Sequence, residues 1–237
     1  AKHGPMALAS AQFWDSFFEQ RRTPADPSKP SEALEWYFSS REALPVVLEE
    51  LSKLPPPLRV LHLGCGSSDL GWLLASQYGL QGVLDADFSP VVVGQMAKRF
   101  PHQHFAILDA RRLPLRASCL DAILDKGMFD SLTSNSHTGQ ANAKALMGEL
   151  ARVLAPGGVY LTFSSFGPGE TSEKNMPELL QHSLFQLKCR EIEQPPLEGL
   201  ETEVTFLYVA VRRSCPGKEK EGSASVSEKD SPMMPPR

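Results

Sequence analysis

Few cysteines, no long apolar run and no excess of positive charge limit what this sequence can encode. Its four cysteines lie far apart and form no C-x-x-C pair, which disfavours a disulfide scaffold or a zinc site and favours a reducing compartment. We therefore expect no metal. No apolar stretch reaches the ~20 residues that a membrane helix requires, so we expect a soluble protein without a membrane partner. The formal net charge of −4 supplies no basic field for a phosphate backbone, so we expect no nucleic acid partner.

One domain accounts for most of the chain. With 237 residues, 41% of them hydrophobic, the chain can bury one sizeable core, and we place the domain at residues 13–213. Because the chain opens at Ala1 rather than Met, we expect residues 1–12 to be disordered or a remnant of expression or processing. Lys, Glu, Ser, Pro and Gly dominate residues 214–237, which predicts a disordered tail.

The most informative stretch runs from residue 59 to residue 74. Apolar residues suited to a strand precede Gly64-Cys65-Gly66, and a helical pattern follows from Leu70, with Ser68 or Asp69 as its cap. Glycines remove the Cβ that would keep a ligand off the backbone, and the helix N-terminus offers free N–H donors. This strand, loop and helix predict a nucleotide-like cofactor site.

Strand and helix patterns alternate through the rest of the domain. Strands are predicted at 60–63, 83–87, 104–108, 120–125, 159–163, 185–189 and 204–211, with helices starting near residues 39, 70, 89 and 141. Such alternation is typical of an α/β fold with a mostly parallel sheet and helices on both faces. The last two strands have no helical pattern between them, so we expect an antiparallel hairpin at the C-terminal edge.

The residues around the loop distinguish a dinucleotide from S-adenosylmethionine. A dinucleotide loop follows Gly-x-Gly-x-x-Gly/Ala, whereas the third position here is Asp69, whose carboxylate would repel a pyrophosphate. Asp87 ends the second strand about 20 residues beyond Gly66, where a carboxylate can accept both ribose hydroxyls. Asp109 ends the third strand and can accept from an adenine amino group. The set favours an adenosine ligand without phosphate.

Several motifs, taken together, resemble those of the seven-β-strand methyltransferases, in the branch that methylates protein lysines. They are Leu63-Gly64-Cys65-Gly66, Asp87-Phe88-Ser89-Pro90, Leu124-Asp125-Lys126-Gly127 with Asp130, Trp14-Asp15 and Glu35-Trp36-Tyr37. The branch includes the elongation factor 1A lysine methyltransferases and the citrate synthase lysine methyltransferase. Residues 57–61 and Phe163-Ser164 are most similar to the citrate synthase enzyme. Where the family usually has Thr after its Lys-Gly, this chain has Met128.

This resemblance implies a Rossmann-like seven-stranded sheet and a set of site residues. The implied contacts of S-adenosylmethionine are Trp14, Phe18, Trp36, Gly64, Gly66, Asp87, Phe88, Asp109, Ala110 and Lys126. Asp125 and Asp130 are the candidates for handling the proton of the attacking amine or for orienting that amine. The ammonium of Lys126 is the least expected next to a sulfonium, so its stem, a pairing with Asp125 or the methionine carboxylate would have to explain the contact.

The resemblance also implies the activity, a protein-lysine N-methyltransferase. The favoured substrate is citrate synthase in the mitochondrial matrix, and the alternative is elongation factor 1A in the cytoplasm. Three other interpretations stay open from the residues: a small-molecule methyltransferase, a catalytically silent methyltransferase fold that serves as a binding module, and a dehydrogenase.

Overall fold

The computed structural model describes residues 8, 10–28, 35–169, 175–192 and 204–214. The strands are β1 (Arg59–Leu63), β2 (Gly82–Asp87), β3 (His104–Ile107), β4 (Leu120–Lys126), β5 (Leu154–Ser164), β6 (Phe185–Ile192) and β7 (Thr205–Arg212). The helices are α1 (Ala11–Gln20), α2 (Ser40–Leu51), α3 (Leu70–Tyr78), α4 (Pro90–Arg99), α5 (Met128–Leu132), α6 (Gly139–Val153) and α7 (Met176–Leu179).

The strands form one seven-stranded sheet in the order β3-β2-β1-β4-β5-β7-β6. Strands β1 to β5 are mutually parallel, whereas β7 pairs antiparallel with both β5 and β6. This confirms the predicted Rossmann-like sheet with an antiparallel C-terminal edge. The strand order reverses between β1 and β4, and ligands of open α/β sheets bind at the carboxyl ends of the strands at such a point.

Successive apolar side chains of the central strand β1 point to opposite faces of the sheet, and helices cover both faces. Val60 belongs to a buried cluster with apolar residues of α2 and α3, whereas Leu61 belongs to the cluster on the opposite face with residues of α5 and α6. A third buried cluster joins Trp14 and Phe18 of α1 to α4. That contact brings the aromatic face of α1 to the carboxyl end of β2, where α4 begins.

The helix starts follow the capping residues in the sequence. Ser39 and Glu42 form a capping box at α2, and Ser89 caps α4 with Pro90 in the first helical position. At α3 the hydroxyl of Ser68 accepts from Leu70 N at 3.4 Å, and Asp69 makes no capping hydrogen bond with its side chain. Of the two predicted caps, Ser68 supplies the bond.

Strand β5 begins five residues before its predicted start. Leu154 pairs with Leu120 and Val159 pairs with Ala122, so the intervening residues form an irregularity inside the strand instead of a loop before it. Gly157 has φ +83° there, a backbone conformation that glycine tolerates. The short helices α5 and α7 have no counterpart among the predicted elements.

The predicted disordered ends fall mostly outside the described residues. Helix α1 starts at Ala11, two residues before the predicted domain start, and of the tail only residue 214 is described. Among the described residues, no helix is both long and apolar enough to cross a membrane.

Candidate functional site

A pocket of about 850 Å³, including its opening to solvent, lies at the carboxyl ends of the central strands. It opens between the loop after β1, the end of β2 and the end of β4, where the strand order reverses. All ten residues predicted to contact a cofactor line it: Trp14, Phe18, Trp36, Gly64, Gly66, Asp87, Phe88, Asp109, Ala110 and Lys126. The site assignment itself stays a prediction, but the fold brings these residues together.

The loop after β1 needs glycine for two reasons. Gly64 and Gly66 have φ of +67° and +52°, in the left-handed region that glycine occupies without strain. At Gly64 a Cβ would also lie 2.4 Å from Cβ and Cγ of Met128. Cys65 N donates to Ala86 O at 2.9 Å, which ties the loop to β2.

Asp87 joins this loop to the start of α4. Its Oδ2 accepts from Gly66 N at 3.0 Å and its Oδ1 from Ser89 N at 2.9 Å. A carboxylate offers about four lone-pair sites, so both oxygens can still accept hydroxyl donors. Burial raises the pKa of Asp87, and the backbone N–H donors oppose that shift. The carboxylate is thus fixed in place and suited to a vicinal diol.

Asp109 is oriented by an arginine two residues along the chain. The side chain of Arg111 donates to both carboxylate oxygens, with its Nη2 2.7 Å from Oδ2, and this pairing lowers the pKa of Asp109. The carboxylate therefore stays ionised while Ala110, buried beside it, forms part of the pocket wall.

Aromatic rings from two N-terminal segments close one side of the pocket. Trp14 and Phe18 are stacked with centroids 5.8 Å apart, and Trp14 meets Trp36 edge-on at 6.2 Å. Phe88 lines the pocket next to Asp87. The faces of such rings attract cations and exclude water.

Asp125 and Asp130 lie behind the pocket wall and are not among its lining residues. Asp125 is buried and accepts from Met128 N, Phe129 N, Tyr160 Oη and Thr162 Oγ1. Asp130 accepts from Tyr37 Oη, Ser164 Oγ and Ser165 N. Both carboxylates thus link β4 and α5 to β5 and to the segment after it, and neither is brought to the pocket surface.

The charges of the lining favour S-adenosylmethionine over a dinucleotide. The described lining residues include the carboxylates of Glu35, Asp87 and Asp109, while Lys126 is their sole lysine or arginine and is paired with Glu35. No free cation among them is available to a pyrophosphate. A diol acceptor, a narrow glycine loop and an excess of negative charge fit S-adenosylmethionine. Asp69, on which the sequence distinction rested, is not among the lining residues.

Sequence reasoning missed several residues that shape the site. Glu35 pairs with Lys126, Arg111 orients Asp109, and Tyr37 donates to Asp130. The Asp-x-Arg spacing at 109–111 was the signal for the second pair. Nothing local indicated the other two contacts, because they join residues about ninety positions apart.

A family model described as a methyltransferase domain matches residues 60–158. Citrate synthase-lysine N-methyltransferase of Pongo abelii is 33% identical over 182 residues, covering 68% of this chain and 72% of the relative. EEF1A lysine methyltransferase 4 of Mus musculus is 34% identical and eEF1A lysine and N-terminal methyltransferase of Xenopus laevis 32% identical, each over 66% of this chain. The chain spans only 61% and 22% of these two relatives, respectively.

Solved structures share the fold at much lower identity. Phosphoethanolamine N-methyltransferase 2 of Haemonchus contortus, solved with S-adenosylhomocysteine, has a TM-score of 0.60 at 15% identity, covering 90% of this chain and 61% of that one. A methyltransferase of Methanosarcina mazei has a TM-score of 0.56 at 16% identity, covering 76% of this chain and 99% of that one. The chain therefore belongs to the seven-β-strand methyltransferases that use S-adenosylmethionine, in the branch that includes the citrate synthase and elongation factor 1A lysine methyltransferases.

Proposed function

We propose that the protein transfers a methyl group from S-adenosylmethionine to the ε-amine of a lysine in a protein. The observation that carries the proposal is the extent of the similarity to citrate synthase-lysine N-methyltransferase, which includes 72% of that relative at 33% identity. The pocket supports it with an aromatic side that an alkylammonium chain can enter.

Alignment and desolvation are what this chain contributes to such a reaction. S-adenosylmethionine supplies a methyl group already activated by its sulfonium, so holding the amine in line with it is the main requirement. Trp14, Phe18 and Trp36 present rings to the pocket. The sulfonium cation of the cofactor would gain about 0.5–2 kcal/mol from each favourable contact with such a ring. A free lysine has a pKa of about 10.4, and burial among apolar rings lowers it toward the neutral, nucleophilic form.

Proton handling by Asp125 or Asp130 stays a prediction. Each carboxylate accepts several hydrogen bonds from neighbouring groups, so either would act on the amine through an intervening water or a moved side chain. Asp125→Asn and Asp130→Asn test this by single-turnover kinetics next to calorimetry with the cofactor. Full turnover in both variants with cofactor affinity intact would show that neither carboxylate handles the proton.

We propose citrate synthase in the mitochondrial matrix as the substrate. The support is the share of each relative that aligns with this chain. It is 72% for the citrate synthase-lysine N-methyltransferases of Pongo abelii and Homo sapiens and 61% for EEF1A lysine methyltransferase 4 of Mus musculus. The second candidate, elongation factor 1A in the cytoplasm, is favoured by the 34% identity to the mouse enzyme.

Incubating the protein and labelled cofactor with each purified substrate separates these candidates. Label on a lysine of citrate synthase, located by mass spectrometry, is the expected result. Label on elongation factor 1A alone would transfer the proposal to that substrate. Cofactor binding by calorimetry without methylation of any protein in an extract would favour the silent binding module, and turnover without a protein would favour a small-molecule acceptor.

A further inference from the structure

The ammonium of Lys126 has no hydrogen left for a ligand. Its side chain, 4% exposed, lies at the end of β4 and donates to Glu35 Oε2 at 2.6 Å, Trp36 O at 2.9 Å and Phe38 O at 3.2 Å. A lysine ammonium carries three N–H donors, and all three bind the segment Glu35–Phe38, which we call the strap. A buried ammonium is tolerated only with such pairing.

The strap joins the two sides of the point where the strand order reverses. Glu35 Oε1 accepts from Ser40 Oγ at 2.6 Å, and that hydroxyl lies 2.8 Å from Ser68 Oγ. Ser68 lies in the loop after β1, while Lys126 ends β4. The hydrogen bonds therefore run continuously from one wall of the pocket, through the strap, to the other.

The strap has a backbone conformation that needs outside support. Tyr37 has φ +66°, and Phe38 N donates to Trp36 O at 2.8 Å, as in the rare and strained form of the γ-turn. A left-handed conformation costs a residue with a Cβ about 1–2 kcal/mol and persists where the surroundings hold it. Lys126 binds the carbonyl on each side of Tyr37, and the Tyr37 hydroxyl donates to Asp130.

The strained turn presents Trp36 at the mouth of the pocket. A Cβ at Gly127 would lie 3.3 Å from Cβ and Cγ of Trp36, so the tryptophan packs directly on the backbone after β4. Trp36 lines the pocket and is 39% exposed, unlike Trp14, which is buried. Because Trp36 is exposed and borders the pocket, it is available to the lysine side chain of a methyl acceptor that enters from solvent.

We propose that Lys126 is a positioning residue for the methyl acceptor: it anchors the strap, and the strap places Trp36 beside the path of the incoming alkylammonium group. This inference rests on the proposed methyl transfer to lysine. It gives the ammonium of Lys126 a role on the acceptor side and leaves the contact with the cofactor to the stem and backbone of that residue.

Lys126→Met, which removes the ammonium and keeps the length of the side chain, tests the anchor. We expect hydrogen exchange of the Phe38 amide, which donates to Trp36 O, to accelerate at least tenfold. We expect kcat/KM for the protein acceptor to fall at least tenfold through KM, while the cofactor dissociation constant rises less than tenfold, because Trp36 is also among the predicted cofactor contacts. Lys53→Met is the matched control, since Lys53 has an exposed side chain and pairs with Glu49 and Glu50 in the last turn of α2, and all three readouts should match wild type.

A double variant covers the case in which the unpaired Glu35 prevents folding of Lys126→Met. Lys126→Met with Glu35→Gln removes both charges of the ion pair, and we expect it to fold and to keep the accelerated exchange. Unchanged exchange in the folded double variant, or a tenfold loss of cofactor affinity in Lys126→Met with the strap still protected, would overturn the proposal. If the wild type methylates no protein, the proposed function is refuted. That failure is distinguishable from failure of the anchor, because the exchange and calorimetry measurements need no acceptor.

Discussion

At the scale of single residues, Asp87 is the group whose loss should affect cofactor binding most directly. Its carboxylate retains acceptor sites for a diol after taking two backbone N–H bonds, and a hydrogen bond to a charged group contributes about 1.5–3 kcal/mol. We predict that Asp87→Asn weakens binding of S-adenosylmethionine at least tenfold in calorimetry. Asp121→Asn is the control, since Asp121 pairs with Arg59 at the opposite ends of the strands; equal affinity losses in both variants would contradict the prediction.

Gly64 and Gly79 form a natural pair for separating backbone strain from crowding. Their φ values are +67° and +68°, but an added Cβ lies 2.4 Å from Met128 at Gly64 and meets nothing within 4 Å at Gly79. Both alanine variants incur a strain of about 1–2 kcal/mol, and overpacking adds about 1–3 kcal/mol at Gly64 alone. We therefore predict a lower free energy of unfolding in urea for Gly64→Ala than for Gly79→Ala; the two variants unfolding at the same urea concentration would refute this.

Which site residues were predictable depended on how local their signals are. Asp87 and Asp109 follow strands, so their place at the sheet edge came from the sequence pattern. The partners of Lys126 came from residues 35–38, which no local pattern connects to the end of β4. Asp69 shows the converse: it has the charge expected to repel a pyrophosphate, yet it is not among the residues that line the pocket, because side-chain direction in a loop has no sequence period.

At the scale of elements, Asp125 organises the join between β4, β5 and α5. It accepts from two backbone N–H groups at the start of α5 and from two hydroxyls of β5. Burial nevertheless raises the pKa of Asp125 to about 6, above the value near 3.9 of an unfolded chain. Between these two values an unfolded chain releases the proton that the folded protein keeps, so the contribution of Asp125 to stability decreases as pH rises through this window.

Because the contribution of Asp125 to stability decreases as pH rises, the variant Asp125→Asn, which lacks the titrating group, should show a different pH dependence. The difference in unfolding free energy between variant and wild type should shift in favour of the variant from pH 4 to pH 7, by on the order of 2–3 kcal/mol. Urea unfolding at several pH values measures it. Parallel stability profiles for the two proteins would show that Asp125 titrates alike in the folded and unfolded states.

The helices and strands were predictable where the spacing of apolar residues agrees with capping residues at the ends. Helix α4, with Ser89 and Pro90 at its start, is an example. The placement of β7 between β5 and β6 was not predictable, because strand neighbours are chosen by contacts distant in sequence. The extension of β5 to Leu154 was hidden for a related reason: Pro156 and the two glycines after it signal a loop, whereas the pairing of Leu154 with Leu120 of β4 is a property of the sheet.

At the scale of the whole molecule, one sheet and its pocket at the point of strand reversal couple cofactor binding to folding. The loop after β1, the ends of β2 and β4, and α1 all border the pocket, and β2, β4 and α1 contribute residues to the buried clusters. A ligand that binds only when these parts are assembled stabilises the folded chain as a unit. Net charge and composition limited the number of domains and the class of partner, whereas the location of the pocket followed from the topology of the sheet.

We therefore predict that S-adenosylmethionine raises the melting temperature of the wild type. A ligand at a hundred times its dissociation constant stabilises the folded state by about 2.7 kcal/mol, and each kcal/mol shifts Tm by about 2–4 °C in a domain of this size, which gives a rise of about 5–10 °C in differential scanning calorimetry. Asp87→Asn should lose most of the rise at the same cofactor concentration, because its affinity is lower. NAD should leave Tm unchanged, since the described lining of the pocket offers no unpaired lysine or arginine to a pyrophosphate; an equal rise with NAD would contradict the assignment of the cofactor.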